Sequence, residues 1–279
     1  MSDAFFKGWA KPGPVPSAAI NIVDPEATSL DFLSGHYRLF QLKQGHRFST
    51  DDVLIAWYGT SWAPCPRRVL DLGSGLGSVA MMAAWRLQGA QFVTVEAQEI
   101  SVALARQSVR YNDLEGRFDI RHGDFRDEGV LASHETFDLI LGSPPYFAMD
   151  AGVHGDHPQK VACRFEIRGT VADYCRTAAK HLAVGGFFSC VFPMDPKDQL
   201  EKVLTGARDA GLSIVRWRPV ALREGNNPLL ALFCMVKSED LPEKWRQRSW
   251  QEPTLTVRGA NGEVNPEYMA IKLSIGFPP

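Results

Sequence analysis

Residues 142–147 read Gly-Ser-Pro-Pro-Tyr-Phe and follow an apolar run, Thr136–Leu141, with the composition of a buried strand. Proline lacks an N–H and fixes φ near −65°, so a Pro–Pro pair is stiff. It can hold two acceptors, the Ser143 hydroxyl and the Pro144 carbonyl, beside the aromatic face of Tyr146, with Pro145 between them and Phe147 beyond. The chemistry this suits is attack by the amino nitrogen of a planar group such as adenine. Its lone pair is delocalised and nucleophilicity is poor. Acceptors on its two N–H groups favour the pyramidal attacking geometry and stabilise developing positive charge. A tyrosine face can hold an extruded base by stacking, worth about 1–3 kcal/mol. Neither a metal nor a strong base is needed, because an alkylated ammonium loses its proton readily. In isolation the same residues also suit a Pro–Pro turn carrying a core tyrosine.

A second group of polar residues precedes this one. DLGSGLG (71–77) follows a short strand-like run and opens a helix. Glycines there allow tight turns and leave no Cβ between backbone and ligand. A dinucleotide fingerprint aligned on Gly73 and Gly75 requires Gly or Ala at position 78, where this chain has Ser78. Asp71 precedes the loop, and Glu96 ends the next strand, where a carboxylate can accept both hydroxyls of a ribose. Asp124, in HGDF (122–125), ends the third strand and can accept from an adenine amino group, with Phe125 against the ring. Taken in this order, the strand-end residues resemble the class I S-adenosylmethionine methyltransferases. That resemblance assigns Asp71, Gly73, Ser74, Gly75, Glu96, Ala97, Asp124, Phe125 and Ser143 to the cofactor S-adenosyl-L-methionine, and Ser143, Pro144, Pro145 and Tyr146 to catalysis. GSPPYF likewise resembles the (N/D/S)PP(Y/F/W) signature of methyltransferases acting on amide or exocyclic amino nitrogens.

The elements that must position these residues are legible as alternation. HYRLFQL (36–42) has strand character, and Thr50 or Asp51 can cap a helix through Trp62. Strands are expected at 67–72, 91–96, 117–124, 136–146 and 187–193. Helices are expected at 76–88, 99–112, 170–182 (ending near Gly185–Gly186) and 196–210. Two late strands, 212–221 and 229–237, have a short connection and are expected to pair antiparallel at a sheet edge. Strands alternating with helices predict an α/β fold, a doubly wound, Rossmann-like, mostly parallel sheet with an antiparallel edge pair. Residues 147–168 have no clear period, and their His, Lys and Arg residues, Lys160 and Arg164 among them, fit a substrate-binding lid or a surface loop.

Composition excludes several classes. Of 279 residues 45% are hydrophobic, with 16 Phe and 7 Trp, which argues against disorder. Five cysteines without a CxxC pair point to neutral thiols in a reducing compartment and to no metal site. There is no secretory signal pattern at the N-terminus and no run of about 18 apolar residues, so a cytoplasmic location and no membrane association are expected. The net charge is −2, and residues 69–150 carry 6 basic and 12 acidic groups. An acidic centre with mildly basic flanks suits a cationic cofactor inside and a polyanion outside.

Beyond the class, the chain resembles the bacterial tRNA1(Val) adenine-N6 methyltransferase family over roughly residues 36–275. The resemblance rests on QGHRFSTDDVLIAWYG (44–59), SPPYF, PQKVACRFE (158–166), GGFFSCVFP (185–193) and LTVRGANGEVNPEYMAI (255–271). It implies tRNA or another structured RNA as partner, a monomer, and a segment before the first sheet strand that folds over the cofactor so that Phe48, Thr50 and Asp51 line the site. Tyr146, Phe147, Lys160 and Arg164 would meet the substrate. The expected organisation is a loose lead-in (1–35), a cofactor-covering hairpin and helix (36–62) and the methyltransferase domain (63–279). The family usually has Asn where this chain has Ser143. Protein glutamine methylation of the release-factor type, or RNA binding without turnover, are the competing functions.

Overall fold

The computed structural model describes residues 23–63, 65–147, 169–194 and 198–277, the backbone of 5–6 and 9–10, and single positions 157, 159 and 166. Its strands are β1 (Phe5–Phe6), β2 (Trp9–Ala10), β3 (Thr28–Phe32), β4 (Arg38–Leu42), β5 (Arg68–Leu72), β6 (Gln91–Glu96), β7 (Phe118–His122), β8 (Phe137–Gly142), β9 (Leu182–Pro193), β10 (Leu212–Ala221), β11 (Leu230–Lys237), β12 (Trp250–Gln251) and β13 (Leu255–Thr256). The helices are α1 (Thr50–Trp62), α2 (Ser78–Arg86), α3 (Glu99–Tyr111), α4 (Val171–His181), α5 (Asp198–Asp209) and α6 (Pro266–Ser274).

One sheet runs β12-β10-β11-β9-β8-β5-β6-β7, with β13 also on β10. Strands β5 to β9 are parallel, and β11 is antiparallel to both β9 and β10. The chain builds outward through β5, β6 and β7, then returns to place β8 on the other flank of β5. That reversal leaves a crevice at the carboxyl ends of β5 and β8, the place where open α/β sheets bind ligands. Each face of the sheet carries its own core. Val53, Leu54, Met81 and Leu104 of α1 to α3 fill one; Val171, Cys175, Ala178 and Val203 of α4 and α5 fill the other. The two-sided burial is why the strands read as continuous apolar runs.

The antiparallel pair forms as expected, but β10 is shielded on its outer side by the short parallel strands β12 and β13, which the sequence pattern did not reveal. Among the described residues of the first 35, two strand pairings form. β1 pairs with β2, and β3 pairs with β4 over five residues, Thr28↔Leu42 to Phe32↔Arg38. The hairpin turns at Gly35, φ +51°, where a Cβ would strike the Trp85 ring. Helix α1 is capped by Ser49 instead of Thr50 or Asp51, in a capping box with Asp52, whose Oδ2 accepts the Ser49 N–H at 2.8 Å. Gly185–Gly186 lies inside β9 and does not separate it from α4. A Cβ at Gly186 would sit 3.0 Å from the carbonyl oxygens of Ala183 and Phe137, so glycine permits the bend there.

Candidate active site

The glycine loop leaves β5 with Gly73, Gly75 and Gly77 all at positive φ (61°, 54° and 78°). Gly73 packs against Tyr174, whose hydroxyl occupies the place a Cβ would need. Gly75 is the reverse: a Cβ there would meet nothing within 4 Å, because it would project into an open cleft of about 660 Å³. Glu96 organises the loop. Its Oε2 accepts the Gly75 N–H at 2.9 Å and its Oε1 the Gln98 N–H at 2.7 Å. Two more polar atoms of residues that line the cleft, Asp71 Oδ2 and Ser74 Oγ, are buried without a partner among the described residues. Orphaned acceptors in a crevice are costly unless a ligand donates to them. Burial first, and then the Asp52 charge, drive the Asp71 carboxyl well above the ordinary range. A cationic ligand would relieve that.

At the end of β7, Asp124 accepts from Arg126 through both oxygens (2.9 Å from Nε and 2.6 Å from Nη2). Phe125 is buried and meets Tyr174 edge-to-face with ring centroids 4.7 Å apart. Ala97 and Gln98 line the cleft next to Glu96.

Ser143, Pro144, Pro145 and Tyr146 line the cleft from the end of β8. The Tyr146 ring stands edge-on to Phe192 at 5.9 Å, and its hydroxyl donates to Asp51 Oδ2 at 2.7 Å. Burial, then the Asp51 charge, raise the phenol well above its ordinary value, while a Ser143 hydrogen bond works in the other direction. Asp51 and its neighbour have divided tasks. Asp51 holds Tyr146, whereas Asp52 Oδ1 accepts from Ser78 Oγ at 2.9 Å on the first turn of α2. Desolvation, then the Asp51 charge, push the Asp52 carboxyl up to about 7. The first turn of α1 therefore touches the glycine-loop side and the SPPY side together.

Of the three residues expected to cover the cofactor, Asp51 lines the cleft. Phe48 does not; it packs into the core, 6.2 Å from the Phe277 ring. Thr50 does not either: the capping position moved to Ser49, and the Thr50 side chain turns to Tyr268 on α6. Gly45, His46 and Arg47 supply the cover in their place. Phe147 lies at the mouth, 46% exposed. Lys160 and Arg164 lie outside the described residues. From their segment, Gln159 is buried and ties the cover to α3, accepting the His46 N–H at 3.0 Å and donating to Ser101 Oγ at 3.0 Å. Asp52 and Tyr174 were missed by sequence reasoning. Asp52 was legible as the last residue of a Ser-x-x-Asp cap, but nothing local marks Tyr174.

A doubly wound sheet whose switch-point crevice offers a glycine loop, strand-end carboxylates and orphaned acceptors is that of the class I methyltransferases, and S-adenosylmethionine is the methyl donor. Residues 60–204 match the family model described as methyltransferase small domain, and the chain belongs to that family. It is similar to a tRNA1(Val) (adenine(37)-N6)-methyltransferase of Bacteroides thetaiotaomicron, 31% identical over 74% of this chain and 86% of the relative. A protein of the same description from Shewanella sp. strain MR-4 is 26% identical over 86% of this chain and 96% of its own length. Among solved structures, a predicted O-methyltransferase from Agrobacterium tumefaciens superposes with a TM-score of 0.61 at 18% identity, covering 82% of this chain and 98% of that one, a likeness of fold.

Proposed function

We propose that the chain methylates N6 of an adenosine in tRNA. The observation that carries this reading is the position of Ser143-Pro-Pro-Tyr146 at the end of β8, lining the same crevice as the glycine loop that leaves the neighbouring strand β5. A base in that wall would lie on Tyr146, with Ser143 Oγ and the Pro144 carbonyl accepting from its amino group. Glu96 would hold the ribose of the cofactor and Asp124 its adenine, while Asp71 Oδ2 and Ser74 Oγ would receive donors that no described side chain supplies. The bound cofactor supplies an electrophilic methyl carbon on a sulfonium. Ser143 Oγ and the Pro144 carbonyl would orient the amino lone pair for attack, and the surplus proton would leave to water. The two relatives named for tRNA adenine-N6 methylation span most of this chain, which supports RNA as the polymer and the cytoplasm as the compartment.

The test is incubation with labelled S-adenosylmethionine and total tRNA from a strain lacking the gene, followed by nucleoside mass spectrometry. Label in N6-methyladenosine is the expected result. Label in another nucleoside, or in protein and not RNA, would overturn the assignment.

A further inference from the structure

The edge at which the crevice opens continues past SPPY. Pro193 at the end of β9 pairs with Leu230, and Met194 N–H donates to the Leu229 carbonyl at 2.9 Å. The next strand, β10, ends on the same edge at Ala221, where β13 joins it through Val220↔Leu255 and Ala221↔Thr256. Two exposed segments therefore emerge together there, residues 222–229 after β10 and the turn 258–264 after β13. They are tied by Glu224 N–H to the Arg258 carbonyl at 2.8 Å and by Ala260 N–H to Glu224 Oε2 at 3.2 Å.

Arg223 and Arg258 meet at this junction. Arg258 Nη1 donates to the Gly262 carbonyl at 2.8 Å, and Arg223 Nη2 lies 3.7 Å from where a Gly262 Cβ would be. Both side chains are exposed. Neither guanidinium has a carboxylate within 4.0 Å among the described residues. Elsewhere on β10 the rule is pairing: Arg216 with Glu252 at 2.9 Å and Arg218 with Glu267 at 2.7 Å. Glu224, the nearest acid in sequence, is occupied by the Ala260 amide. Arg258 also stands on the side of the molecule that carries the reaction wall. Tyr268 feels the charges of both Arg258 and Asp51, and Asp51 holds Tyr146.

We propose that Arg223 and Arg258 form a clamp for the RNA phosphates that flank the target nucleotide; this rests on the RNA reading above. A nucleotide extruded into the crevice leaves its two flanking phosphates at the rim. The crevice itself is lined by more acidic than basic side chains, Asp51, Glu96 and Asp124 against Arg47, and does not attract them, so attraction must come from the rim. Planar guanidinium forks without a carboxylate partner match phosphate oxygens two at a time.

The experiment measures anisotropy of a fluorescent anticodon stem-loop RNA across a salt series, with cofactor affinity measured by calorimetry on the same samples. Arg223→Ala, whose guanidinium makes no hydrogen bond among the described residues, is the clean variant. Arg258→Ala is accompanied by a melting curve and by Arg258→Lys, which keeps the charge. Each alanine variant is expected to weaken RNA binding about 5- to 10-fold and lower the log–log salt slope by about 1, with cofactor affinity unchanged. Arg258→Lys should recover the slope. Wild-type RNA affinity and slope in Arg223→Ala and in a folded Arg258→Ala would overturn the clamp. If the wild-type protein binds no RNA at any salt, the RNA reading itself fails and the clamp with it.

Discussion

On the proposed cofactor side of the crevice, Gly73, Gly75, Glu96 and Asp124 each stand at or just beyond the carboxyl end of β5, β6 or β7, three neighbouring parallel strands. On the proposed substrate side, Tyr146 follows β8, but Asp51, which holds it, comes from α1, and behind them stand Tyr268 of α6 and Arg258 after β13. The first wall is made by repetition of one unit, a strand followed by a turn carrying one polar residue. The second is assembled from segments distant in sequence, each meaningless until the others are in place. Damage to the first wall should therefore fall on the ligand with little effect on the fold, and damage to the second should fall on rate and on RNA.

The strongest way to break this contrast is Gly75→Val. The Cβ has open space, so the protein should fold, with about 1–3 kcal/mol of strain from a β-branched residue at positive φ. The branched side chain then fills the place of the ligand, and S-adenosylmethionine affinity should fall more than about 100-fold by calorimetry, the equivalent of more than about 2.7 kcal/mol. Unchanged affinity in a folded variant would remove the glycine loop from the cofactor site. The next is Ser143→Ala. Cofactor binding should persist while single-turnover methylation at saturating RNA falls about 10²- to 10³-fold, the loss of one preorganised acceptor. A wild-type rate would make Ser143 a turn residue. The smallest effect concerns the bridge between the walls. Asp52 is raised from 3.8 to about 7, so the folded protein binds a proton more tightly than the unfolded chain. Its contribution to stability is fully present below pH about 4 and is lost as pH rises through about 7. Thermal melts of the ligand-free protein should show a decline of a few degrees over that window that Asp52→Asn lacks. Parallel curves for the two proteins would remove Asp52 as its source.

The same division explains how much of the molecule could be read in advance. The parallel strands, the helices between them and the late antiparallel pair follow from apolar runs and turn residues, so Gln91–Glu96 and Leu212–Ala221 fall where expected. The glycine loop and strand-end acids are legible because the ligand contact and the local backbone rule coincide in the same few residues. Phe48 and Thr50 illustrate the limit. Their neighbourhood was placed at the site, but which side chains face the crevice depended on the local cap at Ser49 and on α6, which is placed by tertiary contacts. Strand β3 was missed because its partner β4 supplies the evidence for it, and a five-residue stretch alone has little periodicity to read.

The hairpin β3–β4 and the chain's last described residues hold one another: Gly35 N–H donates to the Gly276 carbonyl at 2.6 Å, and Phe277 meets Phe32 and Phe48. During synthesis the two partners emerge at opposite times. The Rossmann-like sheet through β9 can be complete while the cover over its crevice still lacks the residues that lock it down. On a ribosome the glycine loop would therefore be in place before Gly276 and Phe277 arrive to hold the hairpin.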